Sequence, residues 1–302
     1  MGKITLIILF CLSTCFRAEC DTPLAALIQN YAQMHDVNIT YESLITCVLT
    51  PYSIDFESKK INAPVDPSWQ VRVFFCADKK GFDWKVTRLG KISDVSSFSY
   101  DGTTYQALYG WLHTLNLSKK NTEVPPYVVN LDSLFVPAAM FAKSHNYQNQ
   151  LDSLWRDVTD PSFWTSIPTA LSPTKGQLSG IVDGKKMTVT LSDKNSFLGI
   201  SRIESYQGTP DKLLPLMTYT CSEVGEVSFE DNGLKKTFFY PKKASMQFFY
   251  DLNGELLRTA THEITKISVN NPQFDESKFT VDPSSVQKIH DLDSNVWITV
   301  RK

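Results

Sequence analysis

Apolar side chains recur at every second position over much of this chain. Trp69, Val71, Val73 and Phe75 alternate with Gln70, Arg72 and Phe74, Asp78-Lys79-Lys80-Gly81 turns the chain, and Phe82, Trp84 and Val86 return. Period-two alternation interrupted by a turn of this composition predicts a hairpin. A second hairpin has Phe98 and Tyr100 before Asp101-Gly102 and Tyr105 and Ala107 after it. Later strands are expected at Met187 to Leu191, Leu198 to Ile203, Leu213 to Thr220, Gly225 to Phe229, Lys235 to Tyr240 and Met246 to Tyr250. Leu256 to Val269 and Val296 to Val300 complete the set, and Asp183-Gly184, Asn232-Gly233 and Asn253-Gly254 are the turn signals between them. Ten or more strands joined mainly by hairpins make a mainly β chain with a large antiparallel sheet.

Helical spacing is confined to fewer places. Thr22-Pro23 is a capping hydroxyl followed by proline at the first helical position, and Leu24, Leu27, Ile28 and Tyr31 then share one face through Met34. Val37, Ile39 and Tyr41 alternate immediately afterwards. The polar stretch Asp55 to Pro67 reads as a loop, as do the residues leading to Lys212, and Leu112 to Thr122 fits strand or helix equally. From 124 to 173 prolines punctuate the chain, with short helices expected at Leu131 to Phe141 and Leu151 to Val158. Phe274 to Val286 reads as an irregular clip.

The first residues change the picture from a sheet to an exported sheet. Lys3, the apolar run Ile4 to Leu12 and the small and polar residues through Ala18 read as a secretory signal, too short to span a bilayer. Cleavage after Ala18 gives a signal at 1–18 and a single β domain at 20–302. The alternative is a lipobox at Leu12-Ser13-Thr14-Cys15, with a lipid anchor on Cys15. Periplasm or secretion is the expected location, with no transmembrane segment in the mature chain. Cys20, Cys47, Cys76 and Cys221 remain as disulfide candidates; loop length favours Cys20 to Cys47, leaving Cys76 to Cys221. A net charge of −2 and a pI near 6.2 give no support for a nucleic-acid partner, the lysine pairs being scattered beside turns.

Candidate chemistry is sparse. His35, His113, His145, His262 and His290 are widely separated. His262-Glu263 opens like a zinc-protease motif but lacks the second histidine, so His262 reads as a sheet-surface residue. Asp291, Asp293 and Asn295 lack the glycine and closing glutamate of a calcium loop and read as an Asx-rich turn. No nucleophile elbow or phosphate loop is present. No catalytic residue, metal or cofactor is expected.

The segments FSYDGTTYQAL (98–108) and FFYDLNGELLRTATHEITKISVNNPQFDESKFTV (248–281), with the amphipathic helix 24–34 and the hairpin 71–88, resemble the bacterial outer-membrane lipoprotein carriers and related envelope sensors. The resemblance implies a curved half-barrel sheet with helices packed on its concave, apolar face, which holds acyl chains. The long 124–173 insertion departs from that family. Trp69, Phe75, Trp84, Tyr105, Phe135, Phe141, Trp155, Trp164, Phe248 and Tyr250 are either an ordinary core or, in such a half-barrel, the lining of an apolar pocket. A lipid or lipoprotein ligand, or an envelope protein bound by a structural module, are the partners that follow.

Overall fold

In the computed structural model the described residues are 23–58, 66–90, 95–119, 135, 159–160, 171–174, 177–182, 185–192, 199–209, 212–250, 252–275, 279–281 and 286–300. The helices expected within 131–158 lie outside them, as do Phe141, Trp155, Trp164 and Cys20.

Helix α1 (Pro23–Ala32) leads into β1 (Ile39–Leu49), α2 (Pro51–Ser58), β2 (Ser68–Ala77), β3 (Phe82–Leu89), β4 (Val95–Tyr100), β5 (Tyr105–Tyr109) and β6 (Thr114–Ser118). The second run is β7 (Leu171–Thr174), β8 (Gln177–Val182), β9 (Lys185–Ser192), β10 (Gly199–Thr209), β11 (Lys212–Asp231), β12 (Leu234–Phe249) and β13 (Leu256–Val269), followed by β14 (Lys288–Asp291) and β15 (Val296–Thr299). All fifteen share one sheet, in the order β15-β14-β6-β5-β4-β3-β2-β1-β13-β12-β11-β10-β9-β8-β7. The sheet is open, because its end strands β7 and β15 are not neighbours. It is antiparallel except where β14 runs parallel to β6.

Two meanders, β1 to β6 and β7 to β13, meet where β1 pairs with β13 from Ile39–Val269 to Leu49–Arg258. This long-range seam is a contact that hairpin signals could not announce. Burial alternates strictly on β1, with Ile39, Tyr41, Ser43, Ile45 and Cys47 inward. The register carries that face across the sheet: Tyr41 opposite Phe75, Phe75 opposite Trp84, Trp84 opposite Phe98 and Phe98 opposite Ala107. On the other side Cys47 faces Ala260, which faces Met246, then Tyr219, Ile203, Val189 and Leu178. These residues, Leu27 and Tyr31 of α1 and Met34 just after it form one apolar cluster, which defines the inner face.

α1 is held by more than its apolar stripe. β12 runs beyond the end of its pairing with β13, where Lys243 opposes Glu263, and leaves backbone groups without a strand partner. Asn30 fills that gap, its Nδ2 donating to the Phe239 carbonyl (2.8 Å) and its Oδ1 accepting from the Phe239 amide (2.9 Å). Gln33 Nε2 donates to the Thr237 carbonyl at 2.8 Å. A side-chain amide here does the work of a strand neighbour, which is what buried backbone requires.

Several boundaries differ from expectation for local reasons. The stretch starting at Asp55 is not all loop, since α2 runs to Ser58. Its start repeats the Thr-Pro signal of α1, and Thr50 Oγ1 accepts from the Ser53 amide at 3.3 Å. The two strands expected at Leu213 to Thr220 and Gly225 to Phe229 are one strand of 20 residues, β11. Register shifts around Glu223 erase its alternation without ending it. β10 continues to Thr209 through residues expected to be loop. β14 was not expected, being only four residues long.

The outer face is covered at β3 to β6 by the C-terminal segment. Val281 and Val286 pack with Leu108 and Leu115 in a second apolar cluster, and the Val281 amide donates to Gln106 Oε1 at 3.1 Å.

Candidate functional site

The inner face is graded from a closed centre to a half-open end. Trp84 is 1% exposed and Tyr219 is fully buried, whereas Trp69, Tyr105, Tyr109, Met217 and Phe248 are partly buried and border the cluster. Trp69, Met217 and Phe248 belong to the end where β1 finishes and β13 begins. The structure thus brings Trp69, Phe75, Trp84, Tyr105 and Phe248 onto one face. Phe135 joins them from the insertion, its ring 4.1 Å from Tyr41 and 6.4 Å from Tyr240. Tyr105 stacks on Tyr100 at 4.4 Å. Tyr250 stands apart, just past β12, with its ring 6.0 Å from Tyr52 of α2.

Sequence reasoning passed over residues that this face also contains: Tyr41, Phe98, Tyr219, Met246 and two arginines. Arg258 Cζ lies 4.4 Å from the Phe248 ring centre and Arg88 Cζ 5.9 Å from that of Trp69. Strand alternation in β3 and β13 places both arginines on the inner face.

His262 is a correction to the sequence reading. It is not on the sheet surface but 4% exposed on the inner face, between Ile45 of β1 and Ala244 of β12. Pro241 breaks the β12 ladder because it has no N–H, and its carbonyl needs a donor. His262 Nε2 supplies one at 2.9 Å, which fixes the proton on that nitrogen. Burial holds the imidazole neutral and lowers its pKa to about 4, the Pro241 contact opposing that shift.

The disulfide expectation is overturned. Cys47, Cys76 and Cys221 are not in disulfides. Cys76 points outward, opposite Asp83, while Cys221 points inward, opposite Ala244. Their strands are separated by β1, β13 and β12, roughly 19 Å at ordinary strand spacing, far beyond the reach of a disulfide. Burial raises the Cys47 thiol, with the charge of Arg258 pulling the other way, and raises Cys221 to about 11. Neither is a nucleophile in this setting.

Asp83 is the one fully buried carboxyl among the described residues. It accepts from Ser97 Oγ at 3.1 Å and lies 3.3 Å from Lys85 Nζ. Burial pushes its pKa up to about 6 against the pull of Lys85 and Ser97. Among the described residues no group of three or more His, Cys, Asp or Glu could hold a metal. Asp291 forms the Asx turn, accepting from the amides of Asp293 (3.0 Å) and Ser294 (3.4 Å). No helix among the described residues is long and apolar enough to cross a membrane.

No family model matches the chain, and no curated protein matches it. Among solved structures, one described as an outer membrane lipoprotein-sorting protein domain from Vibrio parahaemolyticus is similar at 9% identity and a TM-score of 0.41, over 85% of this chain and 94% of that one. An uncharacterised conserved protein from Thermus thermophilus gives 5% identity and a TM-score of 0.31, over 88% and 96%. The site is therefore read from this chain's own residues.

Proposed function

We propose that this protein is an exported, non-catalytic binder of an apolar ligand, a lipid or the acyl chains of a lipoprotein, held on the inner face of the sheet. The observation that carries it is the half-open row of Trp69, Phe248 and Met217, which extends the apolar face beyond what α1 and Phe135 close off. Large apolar side chains bordering a packed core offer an acyl chain a surface to bury, at about 25 cal/mol per Å² removed from water. Titrating the delipidated protein with a fluorescent fatty acid tests the reading. Saturable binding that Phe248→Ala weakens without unfolding supports it, and absence of binding by a folded protein rejects it.

A second reading, a protein-interaction module, is favoured by β15. Val296, Trp297 and Ile298 are 48%, 57% and 52% exposed on the last strand of the sheet order. An edge strand of this composition is a surface for pairing with another chain. Loss of a co-purifying envelope protein from a Trp297→Lys variant, with acyl-chain binding absent in both forms, would select this reading.

A further inference from the structure

The two ends of the sheet are built differently. At one end β7 carries Pro173, which removes an N–H from that edge strand. At the other, β15 has β14 on one side and no strand on its other side among the described residues. It has neither proline nor charge from Val296 to Val300, and Val296, Trp297, Ile298 and Thr299 are all exposed. Beyond being short, it lacks the devices that keep an edge strand solitary.

Hydrogen bonding within the β14–β15 hairpin fixes which groups face out. The Val300 amide donates to the Gln287 carbonyl at 3.0 Å, and the register continues through Lys288–Thr299, Ile289–Ile298, His290–Trp297 and Asp291–Val296. Bonded and non-bonded pairs alternate in an antiparallel ladder, so Val300, Ile298 and Val296 bond to β14 while Trp297 and Thr299 direct N–H and C=O outward. The side chains divide by the same parity. Ile298 lies opposite Ile289, which lies opposite Leu115 and packs, like Val300, on the second apolar cluster of the outer face. Val296, Ile298 and Val300 therefore carry that cluster to the edge of the sheet. Trp297, stacked on His290 at 4.0 Å, is on the inner face.

We propose that this edge pairs with β15 of a second copy of the chain, antiparallel about a two-fold axis at Ile298. In that register the outward groups answer one another: Trp297 of one copy faces Thr299 of the other, and each such pair exchanges both of its N–H···O bonds. An axis at Trp297 would instead pair Thr299 with Asn295, whose φ of 55° takes it out of the strand. Val296 is set against Val300, and Ile298 against Ile298, at the non-hydrogen-bonded positions where cross-strand side chains come closest. The apolar strip thus meets itself with no like charges opposed, and the second cluster becomes continuous across the two copies. A foreign strand would have to match this pattern; β15 matches itself. Because the same patch serves both copies the contact closes at two, whereas pairing β15 to β7 would propagate, and Pro173 works against it. With so short a strand on each side the dimer dissociates on dilution, which leaves β15 an open edge in dilute solution. The inference is independent of the apolar-ligand reading, and it gives the edge a second copy rather than an envelope protein as its partner.

Sedimentation equilibrium of the full chain over a range of concentrations tests it. The wild type is expected to go from the mass of one chain to that of two as concentration rises. Ile298→Lys sets like charges against each other on the axis, and Thr299→Pro removes an outward N–H as Pro173 does on β7. Each should hold the protein at one chain, with its far-ultraviolet circular dichroism unchanged. Cysteine cross-linking tests the register. Opposed non-hydrogen-bonded residues have Cα atoms about 4.5 Å apart and diagonal ones roughly 7–8 Å, against about 4.4–6.8 Å in disulfides. Ile298→Cys should therefore give a disulfide-linked dimer on mild oxidation, while Thr299→Cys, also exposed, should not rise above the wild type. The mass of one chain at every concentration, or a dimer that survives both substitutions, overturns the proposal. So does cross-linking of Thr299→Cys as readily as Ile298→Cys, or a foreign chain bound at β15 while the protein alone stays at the mass of one chain.

Discussion

Two buried titratable residues make opposite demands on pH. Asp83 has its pKa pushed from 3.8 up to about 6, so the native state holds its proton more tightly than the unfolded chain does. Its contribution to stability is full at low pH and is lost as pH rises through about 6. His262 moves from 6.5 down to about 4, so the unfolded chain is the better proton acceptor; its contribution is full above about 6.5 and is lost as pH falls towards 4. Each is worth up to about 3 kcal/mol by linkage, and in the wild type the two largely cancel between pH 4 and 6.5. Urea midpoints measured across that window should fall on acidification in Asp83→Asn, where only the histidine remains, and rise in His262→Gln. Identical slopes in the two variants would show that the burial described for these groups is wrong. Asn30 gives a second test at this scale. Asn30→Ala leaves the Phe239 amide and carbonyl without partners and should cost about 1–3 kcal/mol in the same unfolding experiment. A neutral result would mean that α1 is held by its apolar stripe alone.

At the scale of elements, hairpins were the most legible part of the chain. Asp78 to Gly81, Asp101-Gly102 and Asn232-Gly233 each join neighbouring strands as their composition demands, and β13 spans the expected Leu256 to Val269. Asn232 and Gly233 have φ of 51° and 76°, the left-handed geometry such a two-residue turn requires. What failed was legible only through contacts distant in sequence. The bulges of β11 and the Pro241 interruption of β12 hide long strands from a period-two reading. The pairing of β1 with β13 has no local signature at all. The candidate site followed the same rule: aromatic residues could be put on strands, but His262 was assigned to the sheet surface when strand parity governed. The cysteine pairing failed because loop length ignores which face of a sheet a residue occupies. Sheet order predicts a gradient of local stability. Hydrogen exchange should be slowest for β1, β2 and β13 in the middle of the sheet and fastest for β14 and β15 at its edge. Protection of β15 equal to that of β1 would point to a partner strand already paired with it.

Over the whole molecule, the proposed function makes one face both core and binding surface, and substitutions separate the two. Trp84→Ala removes a ring from the closed centre and should cost about 3–5 kcal/mol, read as a shift in the unfolding midpoint. Trp69→Ala and Phe248→Ala, at the half-open end, should cost much less stability while reducing ligand binding. Equal stability losses at all three positions would make the inner face an ordinary filled core. The central claim is that this face holds an apolar ligand, and native mass spectrometry of the protein purified without detergent from its own envelope tests it most directly. The account predicts a population heavier than the polypeptide by the mass of one acyl-chain lipid, reduced in Phe248→Ala. A single species at the mass of the bare chain, from a protein that is folded and also takes up no added lipid, would contradict it.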